Sequence, residues 1–246
     1  MKQVKLASII LSFLFLLANS INAQDAGDLL EKMDKLMSAP TDKQATIKMI
    51  LTNKSGKEKV REALMKQKGK DRKLYRYTQP ENQAGIATLS LPDDVMWLYL
   101  PAFGKPTKIS LLSKSQTFTG TDFSYEDMEN KSFNERYSPT LIESNDVENY
   151  TLELIPISKK SKYSKIILYL NKANYYPVKM EYYDNRGNNF KVATYKYTKQ
   201  GKYWYAEEVL MTDLKKEHST KILMTDVKFD QGLSDDEFTV KNLKQK

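Results

Sequence analysis

The sequence predicts a mainly β, α+β domain, in which one antiparallel sheet of about ten or eleven strands follows a short helix. Apolar and polar residues alternate with a period of two in many segments after residue 44, and turn residues separate these segments at regular intervals. Tyrosine is common, at 16 of 246 residues, and aromatic side chains favour the pleated surface of a sheet. Because flat open sheets of this width are unusual, we expect the sheet to curl.

The N-terminus is typical of a secretory signal peptide spanning residues 1–23. Lys2 and Lys5 precede an apolar run of about a dozen residues, and the small residue Ala23 offers a cleavage site. The run is shorter than the roughly 20 residues that span a bilayer, although an uncleaved anchor is the alternative. The chain contains no cysteine, so it cannot itself be a diacylated lipoprotein. We expect residues 24–246 to form a single exported, soluble domain.

One helix is predicted, from Asp28 to Ser38. Apolar residues recur there at helical spacing, Asp28 and Glu31 resemble a capping pair, and Pro40 prevents continuation. The predicted strands cover residues 45–51, 57–68, 72–78, 86–91, 95–100, 150–155, 165–170, 178–183, 190–197, 203–213 and 220–229. The strand at 95–100 is apolar on both faces, so we expect it to be covered on both sides. Ser234 and Glu237 resemble a capping box on a last helical turn.

Residues 113–146 interrupt the alternation and are rich in Ser, Thr, Asp, Glu and Asn. Polar connections of this length are usually functional or mobile. We interpret the segment as a lid or plug with a short helix near Phe123 to Glu129. A surface excursion on the outside of the sheet is the alternative.

Few residues indicate catalysis. The absence of cysteine excludes thiolate chemistry, and a single histidine, His218, excludes multi-histidine metal sites. His218 is flanked by polar residues, which favours a solvated turn or edge position. The acidic residues at 122, 126, 127 and 129 lack the spacing of a calcium loop, which favours capping and solvation. We predict no catalytic residue, no metal and no cofactor; a hydrolase that uses these carboxylates is the remaining enzymatic alternative.

The net charge of +8 does not indicate a nucleic-acid partner, because the lysines are scattered along the strands. A weak attraction to anionic membrane surfaces is compatible with it. We expect a monomer.

The inner face of a curled sheet is either packed solid or left open as a ligand cavity. We predict an apolar ligand-binding wall, because methionine repacks easily and tyrosine offers both a ring and a hydroxyl. An ordinary closed core is the alternative. The predicted wall comprises Met49, Leu51, Leu64, Tyr75, Tyr77, Leu89, Leu91, Trp97, Tyr99, Leu168, Met180 and Tyr182, with Phe123 and Tyr125 from the lid. A charge at Leu89 or Trp97 is therefore expected to block uptake of an apolar ligand.

Three segments carry a resemblance to a known family: Leu98-Tyr-Leu-Pro-Ala-Phe-Gly104, Thr119-Gly-Thr-Asp-Phe-Ser-Tyr-Glu-Asp-Met128, and the hairpin from Tyr175 to Gly187. Together they resemble the LolA-like outer-membrane lipoprotein-sorting proteins, over about residues 28 to 243. The string from Gly120 to Asp127 is the specific part.

The resemblance implies a LolA/LppX-like fold, a strongly curved, half-open antiparallel β-barrel with short helices covering its mouth. It also implies a periplasmic carrier that binds acyl chains of lipoproteins or lipids, with an inner-membrane exporter as donor and an outer-membrane acceptor. A lipid-sensing or interaction module that works with an exporter is the alternative. Lys105 and Lys108 stand where the family pattern leads us to expect arginines, and Arg61, Arg72 and Arg76 are the candidates for the arginine that closes the lid.

Overall fold

The computed structural model describes residues 25–110, 113–129 and 131–244. The predicted signal peptide lies outside the described residues. Within them, the chain begins with helix α1 (Ala26–Met37), and two short helices, α2 (Tyr125–Met128) and α3 (Phe133–Arg136), follow in the middle of the chain. No helix of this part is long and apolar enough to cross a membrane.

The rest of the described fold is one antiparallel sheet of 13 strands. Its strands are β1 Asp42–Thr52, β2 Glu58–Lys68, β3 Arg72–Gln79, β4 Ala87–Leu91, β5 Val95–Tyr99, β6 Pro106–Ile109, β7 Tyr137–Ile142, β8 Asn149–Pro156, β9 Lys165–Asn171, β10 Pro177–Tyr183, β11 Asn189–Gln200, β12 Tyr203–Asp213 and β13 His218–Phe229. In space they run β6-β5-β4-β3-β2-β1-β13-β12-β11-β10-β9-β8-β7. The sheet is not closed into a barrel, because β6 and β7 remain its two edges.

The first and last strands meet in the centre of this sheet. β1 pairs with β13 from Lys43 opposite Phe229 to Thr52 opposite Ser219. The carboxylate of Asp42, which is buried, accepts hydrogen bonds from the backbone N–H groups of Gly232 (2.8 Å) and Leu233 (3.0 Å) directly after β13. These bonds turn the C-terminal segment away from the sheet centre.

The predicted mainly β fold is confirmed, and its strand number is corrected from about ten or eleven to 13. The two unpredicted strands are the edges β6 and β7. Each contains a proline, Pro106 or Pro139, which an edge strand tolerates because one side of its backbone has no strand partner. Neither shows a clean alternation of buried residues, so neither produced a periodic signal.

Helix α1 lies on the concave face of the sheet. Its cap is Asp25, whose side chain accepts from the N–H of Gly27 at 2.9 Å, so the predicted capping pair of Asp28 and Glu31 is wrong. Glu31 instead forms an ion pair with Lys35 at 2.6 Å. The buried stripe of the helix joins the main core cluster and comprises Ala26, Leu29, Leu30 and Met33.

The chain after β13 covers part of the outer face. Ser234 and Glu237 form the predicted capping box on a 3₁₀ turn, Asp235–Phe238. Leu233, Phe238 and Leu243 then pack in a second cluster against residues of β3 and β4. This segment explains the two apolar faces of β5: Met96 is buried in the concave cluster, and Trp97 packs in the outer one.

Candidate functional site

The concave face contains a cavity of about 480 Å³ beside the packed core. Helices α1 and α3 cover it, and the sheet supplies its wall. The apolar part of this wall comprises Ile47, Tyr75, Ile166, Tyr182, Tyr195, Val209, Ile222 and Met224. The interior is therefore partly filled by side chains such as Leu29 and Leu30, which are fully buried, and partly hollow.

Nine of the 14 predicted wall residues belong to the concave side. They are Met49, Leu51, Tyr75, Tyr77, Phe123, Tyr125, Leu168, Met180 and Tyr182. Three of these, Tyr75, Phe123 and Tyr182, line the cavity itself. The other six are buried in the core around it.

The structure does not bring the remaining five predicted wall residues to the cavity. Leu89, Leu91, Trp97 and Tyr99 pack under the C-terminal segment, and Leu64 is 46% exposed on the same outer face. In β4, the polar residues Thr88 and Ser90 alternate with Leu89 and Leu91 and occupy the inward positions. Because both faces of β4 are buried, alternation could not decide which face points inward. The expected block of uptake by a charge at Leu89 or Trp97 therefore loses its geometric basis.

Cavity residues of β11 to β13 were missed by the sequence reasoning, although their strands were predicted. Tyr195, Val209, Ile222 and Met224 line the cavity. The signal was present for Ile222 and Met224, which occupy alternate positions on a predicted strand. Register confirms their placement, since Met49 lies opposite Ile222 and Ile47 lies opposite Met224.

Residues 113–129, the first half of the segment 113–146 that was predicted as a lid or plug, pack on the concave side and are called the plug segment below; the second half contains α3 and β7. Phe118 is 1% exposed, and its ring meets those of Tyr75 and Tyr125 edge-on, with centroids 5.9 and 5.4 Å apart. The next residue, Thr119, is held by two bonds: Arg61 Nη1 donates to its carbonyl and the Tyr77 hydroxyl meets its Oγ1, both at 2.5 Å. The segment is thus anchored to β2 and β3.

Asp122 anchors the plug segment to β13. Its carboxylate, which is 3% exposed, accepts from Thr220 Oγ1 at 2.6 Å and lies 2.7 Å from His218 Nδ1. The buried ammonium of Lys191 donates to the carbonyl of the same residue. The expectation that Asp122 is solvated is therefore wrong, whereas His218, the first residue of β13, has a side chain that is 26% exposed. Their contact joins residues 96 positions apart, which a local pattern cannot show.

The neighbouring acidic residues Asp127 and Glu126 accept hydrogen bonds that stabilise the plug segment. Asp127 completes a capping box with Ser124 on α2, and its two oxygens accept from the Tyr163 hydroxyl at 2.8 and 2.9 Å. Glu126 accepts from the Ser161 hydroxyl at 2.7 Å, and burial raises the pKa of its carboxyl. In the described residues, no group of three or more acidic or histidine side chains could hold a metal ion.

The mouth of the cavity is bounded by α1 and α3. Asp34 of α1 accepts from the backbone N–H of Phe133 (2.9 Å) and of Asn134 (2.8 Å), which fastens one helix to the other. Lys70 in the β2–β3 turn forms an ion pair with Glu135 of α3 at 2.9 Å. Both side chains of this ion pair are largely exposed, so it stabilises the mouth only weakly, by about 0–1 kcal/mol.

The three candidate arginines have separate roles. Arg61 contacts the plug segment, Arg76 donates to the carbonyls of Asn242 (2.7 Å) and Leu243 (3.0 Å), and Arg72 approaches Asp235 at 3.9 Å. Of these, only Arg61 contacts the plug. An arginine that the sequence reasoning missed, Arg136, lies at the cavity with its guanidinium 4.7 Å from the Phe133 ring centroid.

The chain resembles known proteins in both sequence and structure. A family model described as an uncharacterized protein matches residues 69–245. No curated protein is significantly similar in sequence.

Three crystal structures are similar along nearly their whole length. One, assigned to the outer membrane lipoprotein-sorting proteins of Vibrio parahaemolyticus, has 32% identity and a TM-score of 0.81, covering 90% of this chain and 100% of its own. A DUF1329 family protein from Desulfovibrio piger has 26% identity and a TM-score of 0.82, covering 89% and 97%. A LolA superfamily protein from Nitrosomonas europaea has 26% identity and a TM-score of 0.74, covering 88% and 98%.

Proposed function

Because the chain belongs to the LolA-like family of outer membrane lipoprotein-sorting proteins, we propose that it is a periplasmic carrier that binds acyl chains in its concave cavity. Its cargo is a lipoprotein or a lipid, taken from an inner-membrane exporter and delivered to an outer-membrane acceptor. The protein performs no catalysis in this role. The preformed cavity is the observation that carries the proposal.

The size and lining of the cavity suit an acyl chain. A volume of about 480 Å³ falls within the roughly 300–1,000 Å³ of small-ligand pockets. Each buried methylene contributes about 0.8 kcal/mol, so a chain of about 12 carbons gains roughly 9 kcal/mol before ordering costs. The space beside the core already exists, so making room for the chain costs little of this gain.

Release of the chain requires part of the structure to move. The plug segment is an unsuitable gate, because Arg61, Tyr77, Lys191 and Thr220 all bind it. At the mouth, two hydrogen bonds to Asp34 join α1 to α3, and the exposed Lys70–Glu135 ion pair adds little stability. We therefore assign the gate to the α1–α3 side of the cavity.

A matched pair of variants tests the carrier function. Ile222→Glu places a charge in the cavity wall, and Leu64→Glu places the same charge on the outer face. Native mass spectrometry of protein purified from the periplasm is expected to show bound lipid in the wild type and in Leu64→Glu, and none in Ile222→Glu. Circular dichroism confirms that both variants fold. Lipid retained in a folded Ile222→Glu variant would contradict the proposed binding site.

A further inference from the structure

One side of the cavity is basic. Lys43 of β1 lies opposite Gln67 of β2, and Gln67 lies opposite Lys73 of β3. All three residues line the cavity. The pairing therefore places two lysines on the inner surface at the same level of the sheet, separated by one strand, or roughly 10 Å between backbones.

Neither lysine has an acidic partner in the described part of the chain. The other lysines that line the cavity form ion pairs: Lys35 with Glu31, Lys70 with Glu135 and Lys131 with Asp94. No ion pair within 4.0 Å involves Lys43 or Lys73 among the described residues. The nearest aromatic contact is weak, since Lys73 Nζ lies 5.9 Å from the centroid of the Tyr75 ring.

The acids of this region are occupied elsewhere. Asp34 accepts from two backbone N–H groups of α3, and Asp127 accepts from Tyr163 and Ser124. Glu129 favours the charged form of Lys73, whereas Lys43 and Arg136 oppose it. The Nε atom of Arg136 is buried without a hydrogen-bond partner. Among the described residues, Lys43 and Lys73 thus remain without an ion-pair partner beside an apolar wall.

Burial disfavours the charged form of both lysines. It lowers the pKa of Lys43 to about 8, and burial together with the Lys43 charge lowers the pKa of Lys73 to about 7. A negative group between the two ammonium groups would satisfy both at once. Apolar residues alone would line the cavity better if its ligand were uncharged.

We propose that Lys43 and Lys73 bind the anionic headgroup of the amphiphile whose chain occupies the apolar part of the cavity. This inference rests on the proposed carrier function and specifies its cargo class. A carboxylate and a phosphate supply the same chemistry, namely negative oxygens that accept hydrogen bonds from two ammonium groups.

The experiment compares three ligands with the same chain: dodecanoate, dodecyl phosphate and the uncharged dodecan-1-ol. Each displaces the neutral dye Nile red from the purified protein at pH 7. The variants are Lys43→Met and Lys73→Met, which keep a linear side chain without the charge. Lys48→Met is the matched control, because Lys48 is exposed on the opposite face of β1.

We expect the wild type and Lys48→Met to bind at least one anionic ligand at least 10-fold more tightly than dodecan-1-ol. Lys43→Met and Lys73→Met should lose this preference and keep their affinity for dodecan-1-ol. A preference for one anion only supports the inference and identifies the headgroup as carboxylate or phosphate. Equal affinity of all three ligands for the wild type would overturn the inference while leaving the carrier function intact. Failure of all three to bind would refute both.

Discussion

A mutation that fills the cavity can distinguish a hollow interior from a packed one. Val209 of β12 lines the cavity opposite Ile222 of β13. Val227, also on β13, is 5% exposed and belongs to the packed core. We consider the same substitution, valine to phenylalanine, at both positions. Valine and phenylalanine both favour strands, so a difference between the two variants reports how much space surrounds each position.

The expected effects differ in sign. Val209→Phe adds about four carbon atoms to empty space, so we expect stability to stay constant or to rise by up to about 1 kcal/mol. Val227→Phe overpacks the core, which costs about 1–3 kcal/mol and lowers the Tm by roughly 2–10 °C. In Val209→Phe the ring also occupies the place of about four methylenes of the ligand. At about 0.8 kcal/mol each, binding weakens by about 3 kcal/mol, or roughly 100-fold.

Thermal unfolding followed by circular dichroism measures the stability of both variants, and displacement of Nile red by dodecanoate measures binding. A Val209→Phe variant that loses as much stability as Val227→Phe would refute the reasoning, because it would show that no free space exists beside Val209. Unchanged dodecanoate binding in a stable Val209→Phe variant would show that the chain lies elsewhere.

Three further predictions concern the plug, the lysines and the mouth. Thr220→Val removes a buried hydroxyl bonded to Asp122 and is expected to cost about 1–3 kcal/mol in urea unfolding and to speed amide exchange in residues 113–129, whereas the exposed Thr225→Val should do neither. Dodecanoate affinity should fall as the pH rises from 7 to 9, because lysines of pKa about 7 and 8 lose their charge in that window, and a pH-independent affinity would count against their role. The other charged and titratable groups that line the cavity with these lysines are Glu31, Asp34, Lys35, Lys70, Tyr75, Asp127, Glu129, Lys131, Glu135, Arg136, Tyr137, Tyr182 and Tyr195. The free energy of unfolding should rise over the same window, because the unfolded lysines still bind protons that the folded ones have lost, and Lys43→Met with Lys73→Met should flatten this rise. Lys70→Ala should change stability by less than about 1 kcal/mol yet increase exchange in α3, and slower exchange there would argue against a gate at the mouth.

The strands could be predicted because each central one carries its own local alternation. The two edge strands could not be predicted, because each contains a proline, Pro106 or Pro139, and proline argues against a strand. An edge strand tolerates it because one side of the strand has no partner. The capping box at Ser234 was visible in the sequence, but the place where the segment after it packs was not. That packing buries the outer face of β4, and it is why Leu89 was assigned to the wrong side.

The candidate site was predictable only in its apolar part. Alternation identified Tyr75 and Tyr182, which line the cavity. Lys43 and Lys73 look like ordinary solvated lysines in the sequence, because nothing local shows that their side of the strand faces a cavity. The link between His218 and Asp122 likewise depends on the folded sheet bringing distant residues together.

The central pairing of β1 with β13 has a consequence for how the molecule assembles. Each half of the sheet, β1 to β6 and β7 to β13, is a meander in which strands adjacent in sequence pair with each other. The two halves are joined by the pairing of β1 with β13, which come from opposite ends of the sheet-forming chain. Contacts so distant in sequence form slowly. The cavity is lined on both sides of this pairing, by Ile47 of β1 and by Met224 of β13. It can therefore form only after β13 has paired with β1. A chain truncated before β13 would therefore lose a central strand and the cavity beside it, and not merely an edge strand.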